Sequence, residues 1–172
     1  MATLSALTQI PENTSFVQPT KFTFAFPQLP FLRYFAQTAT IPGVATSDIL
    51  VPTPFVNTYR HGEKLVFETF TINALVDEDL RVWQESYDWL KALTKPTRFE
   101  EYNRFKTTEG KLYHDALLTV NTNANLPNVR FKFKDCHPVS IGSLAFNTAD
   151  NADTTMTLDI TFRYDYYEID RV

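Results

Sequence analysis

The run Thr155-Met156-Thr157-Leu158-Asp159-Ile160-Thr161-Phe162-Arg163-Tyr164-Asp165-Tyr166 decides the fold class. Large apolar side chains fill its even positions, and its odd positions are short or charged. A strand puts alternate residues on opposite faces, so this period of two predicts one face in a core and one facing away. Twelve residues at ~3.3 Å each span ~40 Å, long for a single strand. The pattern recurs upstream. Phe22, Phe24 and Phe26 alternate with Thr23 and Ala25, and Val129, Phe131 and Phe133 alternate with Arg130, Lys132 and Lys134.

Further strands are expected over residues 31–40, 65–75 and 115–122, the second of them rich in Phe, Thr, Val and Ile. Punctuation separates them. Pro27 and Pro30 bracket a turn, Pro42-Gly43 suits a type II turn, and His61-Gly62-Glu63-Lys64 and residues 123–127 read as turns. A loop is expected through Pro138 and Gly142. Residues 97–111 read as an irregular polar flap. Residues 45–61 are unusual: Ile49, Leu50, Val51, Phe55 and Val56 are apolar, yet Pro52 and Pro54 interrupt them. Proline cannot donate to a central ladder, so this stretch is expected as an edge ribbon or extended arm.

One helix is expected, over residues 78–93. Asp77 can cap its first free amides, and Glu78 and Asp79 favour the positive end of the helix dipole. Leu80, Trp83, Tyr87 and Leu90 form the stripe expected to face the sheet, with Glu85 and Asp88 facing out. The whole predicts a mainly β protein: two packed antiparallel sheets forming a barrel-like domain with one flanking α-helix. Residues 1–20 form an N-terminal arm, and residues 21–172 a single domain.

Composition narrows the function. The 172 residues carry 16 basic and 20 acidic side chains, a formal net charge of −4, against the basic balance usual for nucleic-acid binders. Four glycines are too few for a phosphate-cradling loop or nucleotide fingerprint. No apolar run approaches 18 residues, so no membrane span is expected, and residues 1–10 lack the pattern of a signal peptide. A single cysteine, Cys136, excludes an internal disulfide framework and fits a reducing compartment.

Each reactive residue has a plain structural reading. His61, His114 and His137 lack the spacing of a metal site. Cys136 reads as a small core residue rather than a nucleophile. Asp77, Glu78 and Asp79 read as a helix start rather than a carboxylate cluster. Arg130, Lys132 and Lys134 read as a solvated strand face or charged subunit contact. The phenylalanines between them point to the opposite face, so the two sets cannot form one stacking platform for single strands. No hydrolase, metalloprotease or Walker motif is present. Neither catalysis nor a cofactor or metal is expected.

The order of segments carries a resemblance. Ala39-Thr40-Ile41-Pro42-Gly43 follows an aromatic strand, and the Pro-rich ribbon leads to His61-Gly62-Glu63-Lys64. A Phe- and Thr-rich strand ends in Val76-Asp77-Glu78-Asp79, followed by Tyr87-Asp88-Trp89. Then come Cys136-His137-Pro138-Val139-Ser140-Ile141-Gly142 and the closing Tyr164-Asp165-Tyr166-Tyr167. This order resembles the tail tube proteins of contractile-tailed bacteriophages over residues 20–168. The longer N-terminal arm and the 97–111 insert depart from that pattern.

The resemblance implies a structural virion protein that forms six-membered rings stacked into a tail tube, assembled in the host cytoplasm. It implies self-association, sheath, baseplate and tail-terminator partners, and passage of phage DNA without specific binding. Ile49, Leu50, Val51, Pro52, Phe55 and Val56 then form an arm that packs on another subunit. Thr157, Asp159, Thr161, Arg163 and Asp165 become the candidate face of the bore, where a row of cations would retard a polyanion. Glu85 and Asp88 become candidate sheath contacts. The rival readings are a baseplate tube initiator, a secretion-system tube of the same fold, and a monomeric ligand-binding barrel.

Overall fold

The computed structural model describes residues 13–107, 110–149, 151 and 153–172. Residues 1–12 of the expected arm, positions 108 and 109 of the expected flap, and positions 150 and 152 lie outside the described residues. Residues 13–20 are exposed and lack regular structure apart from a turn.

Among the described residues, nine strands and three helices follow in the order β1 (Phe22–Ala25), α1 (Pro30–Phe35), β2 (Ala36–Ala39), β3 (Val44–Pro52), β4 (Asn57–Phe67), β5 (Phe70–Leu75), α2 (Arg81–Thr94), α3 (Phe99–Arg104), β6 (His114–Asn121), β7 (Pro127–Ile141), β8 (Thr157–Arg163) and β9 (Tyr167–Arg171). The 15-residue β7 organises the molecule. Its first half pairs antiparallel with β6 and β9, and its second half with β8. One sheet therefore runs β1-β6-β7-β9 and the other β7-β8-β5-β2, joined through β7. β3 and β4 form a separate two-stranded sheet. The mainly β, barrel-like reading holds, although β1 and β2 end the path without closing it.

The core fills the space between the two sheets and under α2. Phe70 and Phe133 stack at 4.5 Å across it. Phe26 meets Phe162 at 5.4 Å and Trp89 at 5.2 Å, both edge to face. Such contacts add ~0.5–1.5 kcal/mol each beyond burial. Along β8, Leu158, Ile160 and Phe162 are buried while Thr157, Asp159 and Arg163 are exposed, as the alternation predicts.

Seven expectations about the elements need correction. Residues 97–111 are not irregular throughout, because Phe99–Arg104 form α3, with Glu100 and Glu101 in its first turn. Residues 31–40 are not one strand. α1 occupies Pro30–Phe35, with proline in its first turn, where a missing N–H costs nothing. Gly43 has no positive φ, so Pro42-Gly43 is not a type II turn. Gly62 lies inside β4, opposite a bulge between Thr46 and Asp48. There the Ser47 carbonyl approaches so closely that a Cβ would clash, and the glycine marks close backbone contact rather than a turn. Residues 65–75 split between β4 and β5. Pro138 belongs to β7 and sits at a bulge, where its missing donor is tolerated. Finally, the strand expected over residues 155–166 is β8 alone, and the chain then turns into β9, which pairs with the other half of β7.

Candidate assembly surfaces

The β3–β4 hairpin carries the most exposed apolar surface of the described residues. Ile49, Leu50 and Val56 are exposed, Phe55 is 97% exposed, and Val51 is half-buried. Both faces of the ribbon are open, so alternation has no core to serve. Pro52 ends β3 and Pro54 lies in the tip, where the Thr53 hydroxyl donates to the Val56 carbonyl. The Val56 N–H donates back to Thr53 Oγ1 at 3.3 Å. Residues 49–59 hold no charged side chain. An isolated two-stranded hairpin is marginal in water, and one this apolar is an adhesive edge unless something covers it.

The outer face of the second sheet is small and polar. Thr157, Asp159 and Arg163 are exposed and Thr161 is half-buried. Asp159 Oδ1 accepts a hydrogen bond from Asn73 Nδ2 at 2.7 Å, and Thr71 lies beside Thr161 in the register. Thr71 and Asn73 thus join this face. Their alternation with Phe70, Ile72 and Ala74 was the signal for it. Asp165 is exposed but sits in the turn beyond β8, where its N–H donates to the Lys134 carbonyl at 3.0 Å.

The helix departs from expectation. α2 begins at Arg81, and Asp77 Oδ1 accepts from the Val82 N–H at 3.2 Å, so the capping role holds. Its buried face, however, is Val82, Glu85, Ser86, Trp89 and Ala92. Glu85 does not face out: it is 8% exposed and accepts the Phe31 N–H of α1 at 3.3 Å. Asp88 is half-buried and pairs with Arg104 at 3.3 Å. The stripe of Leu80, Trp83, Tyr87 and Leu90 instead lines an open groove of about 500 Å³ against Ile141, Leu144 and Phe146.

Burial raises the Glu85 carboxyl above the ordinary glutamate range, partly offset by the Phe31 N–H. A raised folded-state pKa contributes stability below the unfolded value, and that contribution is lost as pH rises through the folded value. Glu85→Gln keeps an acceptor for Phe31 and removes the titration. The stability gain of the variant over wild type should therefore grow from pH 4 to pH 8 in urea unfolding. Parallel curves would refute this.

The remaining reactive residues have structural partners. His114 is buried and its Nε2–H donates to the Phe105 carbonyl at 2.7 Å, while burial lowers its pKa. The Cys136 thiol is buried and pushed up to about 12 by that burial. On the outer face of the first sheet, Lys132 pairs with Asp170, and Lys134 with Asp115 at 2.5 Å. Two of the three cations on this face are thus balanced by neighbouring strands.

A two-sheet β domain with an uncovered apolar arm, an open apolar groove and a small-polar outer face defines a class: a structural subunit built to associate. The family model for phage tail tube protein matches residues 6–170, so the chain belongs to that family. Solved structures share the fold at low identity. A chain of the anti-feeding prophage tube-terminating cap matches with TM-score 0.67 at 12% identity, covering 98% of this chain and 100% of that one. A chain of the anti-feeding prophage baseplate gives TM-score 0.64 at 11% identity, covering 91% and 96%. A chain of the sheath–tube complex of an extracellular contractile injection system, PVC, in the extended state gives TM-score 0.55 at 12% identity, covering 99% and 100%. No curated protein sequence matches.

Proposed function

We propose that this protein polymerises as stacked six-membered rings into the inner tube of a contractile tail, through which a phage genome passes. The observation that carries this reading is the β3–β4 hairpin, whose uncharged apolar tip joins no core among the described residues. Packing on another subunit removes that surface from water. The two solved injection-system assemblies include tube, sheath, baseplate and cap structures, which supports a sheath around this tube and baseplate and terminator proteins at its ends. The role is that of a conduit without catalysis, cofactor or metal, in a virion tail assembled in the host cytoplasm. Asp88, on the α2 flank, is the remaining acid for a sheath contact. Copy number separates a tube from a baseplate initiator: many rings per particle support the tube, and a single ring favours the initiator.

The bore is assigned to the outer face of the second sheet, with Thr157, Asp159, Thr161 and Arg163 on its wall and Asp165 beyond the strand end. Small polar groups hold a water layer, and the acids discourage phosphate contacts. Each chain carries −4, so a ring of six carries −24. Combining Asp159→Lys with Asp165→Lys should leave rings intact, because the core face is untouched. Empty variant tubes should bind DNA at low salt and release it steeply as salt rises, whereas wild-type tubes should not. An assembled structure with these side chains on the outer wall would refute the assignment.

A further inference from the structure

We propose that the apolar groove between α2 and the segment after β7 is the seat for the β3–β4 hairpin tip of a second copy of this chain. The inference rests on the tube reading and deepens it by naming both sides of one contact.

Two charge-free apolar surfaces stand open on a chain in which 21% of residues are charged. The first is the hairpin tip, with Ile49, Leu50 and Phe55 exposed. The second is the groove, whose walls are Leu80, Trp83, Tyr87 and Leu90 on α2 and Leu144 and Phe146 opposite. Trp83 and Tyr87 stack at 5.0 Å and 8°, presenting a flat aromatic wall. Phe146 is 76% exposed at the groove's edge and lies outside the core cluster formed by the described residues.

The chain's own hairpin does not fill the groove, because no hairpin residue lines it. No residue that lines the groove is charged, and neither is any of residues 49–59, so seating the tip there places apolar side chains against an uncharged lining. The groove's volume accommodates a phenylalanine with its aliphatic neighbours, and the nine residues of β3 reach ~30 Å from the base of the hairpin. The contact joins two different patches, so it is head-to-tail and propagates from copy to copy. This is the geometry that repeated subunits need.

Full-length chains carrying Phe55→Asp in the hairpin, or Tyr87→Glu with Phe146→Asp in the groove, test the pairing. All three positions are exposed, so the variants should melt like wild type. Each should raise the concentration needed for tube growth at least ~10-fold, the equivalent of losing one buried apolar side chain. Mixed together, the two variants should form a paired assembly that stops growing, because each retains the half the other lacks.

Cysteine pairing gives a second readout. Phe55→Cys combined with Leu144→Cys should give ladders of covalent multimers on oxidation of tubes, and either change alone should not. The native Cys136 is buried and stays out of this chemistry. Normal tubes from the groove variant, with growth blocked only by Phe55→Asp, would overturn the inference and leave the tube reading standing. Groove variants that form tubes but lose sheath coating would overturn it in favour of a sheath contact. A wild type that never assembles would overturn both readings.

Discussion

Replacing residues 49–60 by an Asn-Gly turn that joins Asp48 to His61 should leave a folded protein that no longer polymerises. The two retained residues already face each other across the ladder, and Asn-Gly suits a tight hairpin. No buried core residue lies between Val44 and Val66, so the two main sheets lose nothing they pack against. What disappears is the exposed surface of Ile49, Leu50, Phe55 and Val56. Full burial of each on a neighbour stabilises by ~1.5–3 kcal/mol. Loss of even two weakens association ~100-fold, and all four by several further powers of ten. Circular dichroism melting should match wild type within a few degrees, while sedimentation and negative-stain images should show no tubes. Normal tubes from the shortened chain would end the arm assignment.

Trp89→Ala should be the most damaging single substitution for the fold itself. Trp89 is fully buried, meets Phe26 edge to face and stacks on Phe105 at 6.1 Å. Its indole N–H donates to the Leu112 carbonyl at 3.0 Å. Truncation opens a large cavity between α2, β1 and β8 and leaves that carbonyl short of a donor. Such changes cost about 3–5 kcal/mol, a large share of the 5–15 kcal/mol that holds a typical domain together. Urea unfolding should shift by that amount. Trp89→Phe should cost less, because an aromatic ring remains to meet Phe26. A loss below about 1 kcal/mol in the alanine variant would show that α2 does not anchor the core.

The strands were the most legible part of the sequence, because alternation reports directly on a sheet with one face in a core. β1 and β8 show it without interruption. β7 was legible only to Lys134. Asp135 then takes a left-handed φ of 52°, and buried positions change step from Phe133 to Cys136. That shift lets one strand serve two sheets, and it erases the period of two that would have revealed it.

The helix is legible in the sequence, but its inner face is not. Counting large apolar residues selected Leu80, Trp83, Tyr87 and Leu90, whereas the buried face includes Glu85, Ser86 and Ala92. Glu85 is held inside by an unspent amide at the start of α1, a partner 54 residues away that no local pattern reports. α1 itself was hidden because Phe31, Tyr34 and Phe35 favour strands in isolation. Pro30 at its first turn was the overlooked signal. Of the candidate surfaces, the hairpin was legible as apolar residues interrupted by prolines. The groove was not, because its two walls lie about 50 residues apart in the chain.

The central claim is assembly, and its most direct measurement is electron microscopy of the purified full-length protein across a range of concentrations. Stacked rings or hollow tubes of uniform bore, with the β3–β4 hairpin bridging neighbouring subunits, are the predicted result. A single-chain monomer at every concentration, with and without a sheath protein, would contradict it.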